Sequence, residues 1–350
     1  MRDIVDGLLA WRAAGVTFAV ATVVNTWRSA PRQPGAAMAV NEHGEVLGSV
    51  SGGCVEGAVY AAAGEVIETG KAQTQAYGVS DGDAFEVGLT CGGTIEVMIQ
   101  PGSALTGLDA VLAAVAAGQP VATVSLPGAQ LVVWADRVEG SLGDAELDRI
   151  AAQRAAGLLA HGRTAMITAC EREVFVQSLA APARMIVFGA IDFAAAVARI
   201  GKFLGYQVTV CDARGVFATP ARFPDADEVI VEWPHRYLES TEVDERTVLC
   251  VLTHDPKFDI PLLQVALHTP ARYIGAMGSR RTCEDRVRRL REAGVSEAAL
   301  SRLRAPIGLD LGARTPEETA VAVAAEIVAL SWGGSGAPLT DLTAPIHGPA

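Results

Sequence analysis

From residue 184 onward the chain alternates short apolar, β-branched runs with helical stretches, and this alternation constrains its fold more than any other feature. Met185-Ile186-Val187-Phe188 runs into Gly189, residues 193–203 have helical periodicity, and Gln207-Val208-Thr209-Val210-Cys211 ends on Asp212. Residues 228–231, 247–253 and 273–274 continue the strand series, with a helical pattern at 259–268. Parallel strands need crossovers, and helices serve as those crossovers on both sheet faces. The expectation is an α/β protein whose residues 183–332 form a Rossmann-like, doubly wound parallel sheet. Ala181-Pro182-Ala183-Arg184 reads as a linker, and the Gly/Pro-rich residues 333–350 as a loose tail.

Residues 1–182 are organised differently and read as an α+β domain. A helix over 3–14, a buried strand over 18–24, a hairpin of 37–40 with 46–50, and a helix over 55–69 closed by Gly70 are expected. Residues 118–182 then repeat this pattern in diverged form, giving halves of about 1–105 and 106–182. Gly118-Gln119-Pro120-Val121-Ala122-Thr123-Val124 echoes residues 15–23, and Gly140-Ser141-Leu142-Gly143 echoes Gly48-Ser49-Val50-Ser51. Where the first copy has a Gly-Gly-Cys turn, the second has Gly143-Asp144-Ala145, so the thiol is not repeated.

Two glycine-rich cysteine turns carry the chemistry of this domain: Ser51-Gly52-Gly53-Cys54-Val55-Glu56 and Leu89-Thr90-Cys91-Gly92-Gly93-Thr94. Paired glycines allow left-handed backbone and close approach of a ligand, and successive N–H groups can cradle an anion. A cysteine there is presented on a turn. The plain alternative is two ordinary turns with two buried thiols. The pair favours a thiol-bearing ligand site, in which Cys54 and Cys91 converge on a shared cavity beside Arg28 and Arg32.

Composition excludes several classes. A net charge of -12 over 350 residues argues against a nucleic-acid or anionic-membrane surface. The longest Ala/Val stretches, such as 110–117, are too short for a membrane span. The six cysteines include no C-x-x-C pair and no zinc spacing, so reduced thiols and a cytoplasmic location are expected. Residues 1–6 carry acids and no signal-peptide core.

In the second domain, Gly189 and Asp212, 23 residues apart, have the layout of a dinucleotide site. The fingerprint itself is altered. Gly189-Ala190-Ile191-Asp192 puts a branched side chain and an acid where backbone should meet a pyrophosphate. Asp212 therefore reads equally as a ribose ligand or as a solvated strand-end acid. Further candidates lie at carboxyl ends of strands: His254 and Asp255, then Gly278-Ser279-Arg280-Arg281, then Asp310 within residues 306–314. His254 can equally be structural, and the Gly-Ser-Arg-Arg segment can be a capped helix start. Thr315-Pro316-Glu317-Glu318 is a capping box.

Taken together these stretches resemble the XdhC/CoxI family, accessory factors of xanthine dehydrogenase and carbon monoxide dehydrogenase. The resemblance rests on residues 29–38, Gly48 to Glu56, Leu89 to Thr94, Tyr273 to Arg281 and Pro306 to Glu318. It implies a protein that binds the molybdenum cofactor, as molybdopterin or its dinucleotide form. Such a protein protects the cofactor, supports its sulfuration with a cysteine desulfurase and delivers it to a molybdenum hydroxylase. It implies an accessory protein more than an enzyme, and a homodimer. Cys54 and Cys91 inherit the contact with molybdenum or sulfur, and the family's Gly-Ala-Gly-His turn is Gly189-Ala190-Ile191-Asp192 here. The alternatives are an NAD(P)-dependent oxidoreductase and a scaffold that binds only the target enzyme.

Overall fold

The structure is a computed structural model that describes residues 1–27, 30–78 and 93–343. Two compact units divide it, Met1–Ala181 and Pro182–Leu342.

The first unit is built from α1 (Val5–Ala13), β1 (Phe18–Trp27), β2 (Ala37–Asn41), β3 (Val46–Gly48), α2 (Glu56–Thr69), β4 (Gln73–Gly78) and β5 (Thr94–Pro101). The same series follows again as α3 (Leu108–Ala116), β6 (Val121–Leu126), β7 (Ala129–Val133), β8 (Val138–Ser141), α4 (Ala145–Ala160), β9 (Ala165–Ala169) and β10 (Arg172–Leu179). The sheets have orders β3-β2-β1-β5-β4 and β8-β7-β6-β10-β9, so the second reproduces the first strand for strand. The sequence echo is thus a structural repeat. α2 buries Val59, Ala62, Ala63 and Val66 on its sheet; α4 buries Leu147, Ala151, Ala155 and Leu159 on the other. Each large aliphatic side chain so buried contributes about 1.5–3 kcal/mol. Gly70 ends α2 in the left-handed conformation, φ 69, as its position past the last apolar residue predicts.

The halves share a core in which Val20, Ala37 and Ala39 of one sheet meet Val121, Val132 and Leu179 of the other, with α1 and α3 alongside. Two glutamines at equivalent positions tie them reciprocally. Gln100 on β5 accepts from the Gly128 N–H (3.1 Å), and Gln177 on β10 donates to the Gly35 carbonyl (2.8 Å).

The second unit contains β11 (Arg184–Phe188), α5 (Asp192–Phe203), β12 (Gln207–Cys211), β13 (Glu228–Ile230), α6 (Pro234–Ser240), β14 (Val248–Val251) and α7 (Pro256–Ala266). It continues with β15 (Tyr273–Ala276), α8 (Arg280–Glu292), α9 (Glu297–Leu300), β16 (Leu303–Arg304) and α10 (Pro316–Trp332). All its strand pairs are parallel, in the order β13-β12-β11-β14-β15-β16. This is the doubly wound order, with the chain reversing its direction of winding between β11 and β14. Gly189 sits at that reversal with φ +108, and a Cβ there would lie 2.9 Å from Thr253 Cγ2. Of the expected tail, residues 333–343 include one 3-10 turn at Leu339–Asp341, and 344–350 lie outside the described residues.

Candidate functional site

The first cysteine turn links β3 to α2. Gly48 (φ +71) turns the chain off β3, and a Cβ there would stand 2.3 Å from the Ala37 carbonyl oxygen, so no other residue fits without moving backbone. Val50 and Val55 point into the core on either side of the turn. Between them Gly52 (φ +79) and Gly53 (φ +125) are exposed, with open space where their Cβ atoms would be. Cys54 follows, half-buried, its backbone N–H donating to Ser51 Oγ at 3.0 Å.

The turn is closed by its own glutamate. Glu56 accepts from Ser49 Oγ (2.6 Å) and Ser51 Oγ (2.5 Å). It also accepts from the backbone N–H groups of Ser51 (2.9 Å), Gly52 (3.0 Å) and Gly53 (2.8 Å). Burial alone would raise this carboxyl; the hydroxyl and backbone donors together outweigh it and pull the pKa from 4.5 down to about 2. The nest expected from the sequence therefore exists, but a side chain fills it. A phosphate would have to displace a full negative charge already seated on the same donors. The positive end of α2, about half a unit charge, is likewise more than balanced by Glu56.

The second copy of this turn runs on an offset of 92 residues, fixed by matching serine–carboxylate bonds. Ser141 Oγ donates to Asp148 at 2.7 Å, as Ser49 does to Glu56. Gly140 has φ +89, and a Cβ there would sit 2.3 Å from the Gln130 carbonyl oxygen. This register pairs Cys54 with Glu146 and Gly52-Gly53 with Asp144-Ala145, one residue on from the Gly143-Asp144-Ala145 read from sequence. Asp148 takes only one backbone donor, Leu142 N–H (2.7 Å), and Asp144 caps α4 through Leu147 N–H (2.8 Å).

The other first-unit candidates are placed as follows. Cys91, Gly92 and Arg28 lie outside the described residues. Gly93 is buried just before β5. Arg32 forms an ion pair with Asp3 at 3.0 Å, and Asp3 also takes the Met1 amino group. A cavity in this unit is lined by Thr22, Gln100, Thr123, Ser125, Gln130 and Gln177 with apolar neighbours, and Cys54 is not among them. Its volume is about 20 Å³, the room of about one water molecule, against roughly 300–1,000 Å³ for small-molecule pockets. The cavity between the halves is therefore too small for a cofactor-sized ligand, and the Gly52-Gly53-Cys54 turn lies outside its lining.

Among the described residues the remaining cysteines have different surroundings. Cys211 and Cys250 are buried, and burial pushes both thiols up to about 12. Cys283 is also buried and raised. Cys170 is exposed on the β9–β10 turn. No group of three or more His, Cys, Asp or Glu side chains with metal-binding geometry occurs among the described residues.

In the second unit Asp212 is buried and fully engaged. It accepts from the Ala190 N–H at 2.7 Å, the Arg214 N–H at 2.8 Å, and Arg214 Nε and Nη2 at 2.9 and 2.7 Å. Burial would raise its pKa, and these bonds reverse the direction and lower it. The solvated strand-end reading of Asp212 fails, because its side chain is buried and both carboxylate oxygens accept hydrogen bonds. Asp192 stands exposed at the start of α5 and pairs with Arg222 at 3.2 Å. Asp212 and the glycine turn are thus joined through the Ala190 N–H.

Asp255 caps α7, accepting from Lys257 N–H at 3.1 Å, and Ser279 caps α8 through Thr282 N–H at 3.2 Å. Helix initiation accounts for both. His254, Arg280, Arg281 and Asp310 are exposed at the carboxyl side of the sheet, and Gly278 precedes the α8 cap. Sequence reasoning missed the pair that fixes these loops. Asp259 and Arg286, both buried, meet at 2.7 Å; Thr253 Oγ1 donates to Asp259, and Arg286 Nη2 donates to the Met277 carbonyl at 2.9 Å. The two loops after β14 and β15 are thereby held together. No local spacing signals a pair 27 residues apart.

Comparison with known proteins places this arrangement. The family model described as the XdhC Rossmann domain matches residues 185–327. The one described as the XdhC and CoxI family matches 11–78 and 105–169, which includes Cys54 and leaves out the segment holding Cys91. The chain is 27% identical over 330 residues to the molybdenum cofactor insertion chaperone PaoD of Escherichia coli (strain K12), covering 94% of this chain and 87% of that one. It is 27% identical over 315 residues to a probable xanthine dehydrogenase subunit from Bacillus subtilis (strain 168), covering 88% and 92%. A crystal structure described as a xanthine dehydrogenase from Bacillus halodurans superposes with a TM-score of 0.71 at 25% identity, covering 93% of this chain and 95% of that one.

Proposed function

The chain belongs to the XdhC and CoxI family, and from that premise we propose that it is a maturation protein for the molybdenum cofactor. It holds the cofactor, supports its sulfuration by a cysteine desulfurase and passes it to a molybdenum hydroxylase. The name of the Escherichia coli relative, a cofactor insertion chaperone, supports the holding role. One observation carries the reading: Cys54, half-buried against the core of the first half, directly follows the exposed Gly52-Gly53 pair on a turn whose shape is fixed from within by Glu56.

The residues fit the metal end of the cofactor better than its phosphate end. Thiolate sulfur suits a soft, sulfur-rich metal centre, and the open space over Gly52 and Gly53 admits a flat ligand against the backbone. Glu56 already occupies the anion donors of that turn. Bound, the cofactor supplies the molybdenum centre on which the recipient hydroxylase depends. Cys54 would hold that centre's metal or sulfur, and Glu56 would hold the shape of the turn while it does so.

The test is purification without air from a cofactor-producing host, followed by molybdenum analysis and pterin fluorescence. Molybdenum and pterin in equal amounts, transferable to a cofactor-free hydroxylase, are expected. Protein carrying neither under those conditions overturns the reading.

A further inference from the structure

The buried polar residues of the first unit gather at one place. Among the described residues they are Asn41, Ser51 and the six that line the small cavity between the halves: Thr22 and Gln100 from the first sheet, Thr123, Ser125, Gln130 and Gln177 from the second. Each of the six is between 4% and 8% exposed. Strand register shows that the two halves supply them unequally. Gln100 pairs with Val20 and its equivalent Gln177 with Thr123, so the second half has a threonine where the first has a valine. Thr22 pairs with Ala37, while its counterpart Ser125 pairs with Gln130. A buried polar group costs stability unless it is hydrogen-bonded, so this concentration demands partners.

Protein groups meet only part of that demand. Gln100 Oε1 accepts from the Gly128 N–H, which leaves its amide nitrogen to donate. Gln177 Nε2 donates to the Gly35 carbonyl, which leaves its amide oxygen to accept. Gln130 turns its nitrogen to the Thr106 carbonyl at 2.9 Å and takes the Ser125 hydroxyl at 3.5 Å. The Thr22 and Thr123 hydroxyls have no protein partner among the described residues. The fully sealed side-chain atoms without a partner lie elsewhere, at Ser178, Thr209 and His235, so the spare atoms of Gln100, Gln177, Thr22 and Thr123 touch space that a water can enter.

We propose that this cavity binds a single water molecule, which accepts from Gln100 Nε2, donates to Gln177 Oε1 and bonds the Thr123 hydroxyl, so that solvent links the two halves. Water carries both donors and acceptors, and the lining offers one spare amide donor, one spare amide acceptor and hydroxyls that serve as either. A volume of about 20 Å³ admits one water, which needs roughly 10–15 Å³ and two to four polar partners. No charged side chain lines the cavity, so neutral water fits and an ion does not. The site lies wholly within the first unit and is independent of Cys54 and of the carrier reading.

The experiment reads the sign of a threonine-to-valine effect in the full chain. Thr123→Val keeps the side-chain shape and removes a hydroxyl without a protein partner. With no water bound, that change removes an unsatisfied polar group and stabilises the fold. With water bound, it takes away one of the water's partners, and hydrogen exchange at the β6 and β10 amides is expected to quicken roughly fivefold. A crystal structure of the wild-type chain is expected to show one ordered water bridging the Gln100 and Gln177 amides. Unchanged or slower exchange in Thr123→Val overturns the proposal, and so does a crystal with no ordered water between those amides. Xenon density in the cavity under pressure also overturns it, because xenon enters dry apolar cavities.

Discussion

The two β-to-helix turns of the first unit began as one design and now differ in what they expose. In both, a glycine with positive φ leaves the edge strand and a serine donates to a carboxylate seven residues on. In the second half the carboxylate is Asp148, one methylene shorter than Glu56. It reaches one backbone N–H, while Asp144 caps the helix in the ordinary way. In the first half Glu56 reaches the N–H groups of Ser51, Gly52 and Gly53, and Ser51 Oγ accepts from Cys54 and Val55. At the glycine pair the space where a Cβ would stand is open among the described residues. The position of the thiol is held in the second half by Glu146, which pairs with Arg149 on the surface. The scaffold is repeated, and the exposed glycine pair and the thiol belong to the first copy.

Substitutions at matched positions can break or sharpen that comparison. The largest effect is expected at Cys54. Cys54→Ala lowers molybdenum retained after anoxic purification roughly tenfold or more, while Glu146→Ala leaves it unchanged. Metal analysis of the two variants checks this, and equal losses would remove the asymmetry. Next, Gly48→Ala and Gly140→Ala are expected to destabilise by similar amounts, about 2–4 kcal/mol each, because each pushes a Cβ against a backbone carbonyl at positive φ. Chemical denaturation compares them, and a large gap would show that the repeat is not equivalent at its first step. Smaller still, Glu56→Gln costs about 2 kcal/mol and Asp148→Asn about 1 kcal/mol, in proportion to the donors each carboxylate serves.

The glutamate effect has a pH signature. The folded pKa of Glu56 is about 2 against 4.5 for an ordinary glutamate. Its contribution is complete above pH 4.5 and is lost as pH falls toward 2. The difference in melting temperature between wild type and Glu56→Gln should therefore shrink across that window, and a constant difference would show that the charge is not what closes the turn.

Much of this was legible in the sequence because periodicity and turn chemistry are local. The strand–helix alternation after residue 184 gave the parallel sheet, and the Gly-Ser echo at 48–51 and 140–143 gave the repeat. The capping box at Thr315 and Glu318 is formed as its spacing predicts. What sequence left open depends on where side chains turn. Asp212 was a candidate ribose ligand, yet Arg214 two residues on folds back over it; the Asp-x-Arg spacing was the available signal. Glu56 stood in the cysteine motif, but its capture of the backbone donors required the φ values of Gly52 and Gly53. The Asp259–Arg286 pair joins separate helices and left no local trace.

Alkylation of the thiols in the presence and absence of bound cofactor tests the claim about Cys54 most directly. Cys170, exposed in the second half, serves as the internal reference. Peptide mass spectrometry after iodoacetamide treatment should find Cys54 labelled more slowly in cofactor-loaded protein than in cofactor-free protein, with Cys170 labelled equally in both. Equal labelling of Cys54 in the two preparations would contradict the assignment of that turn to the cofactor.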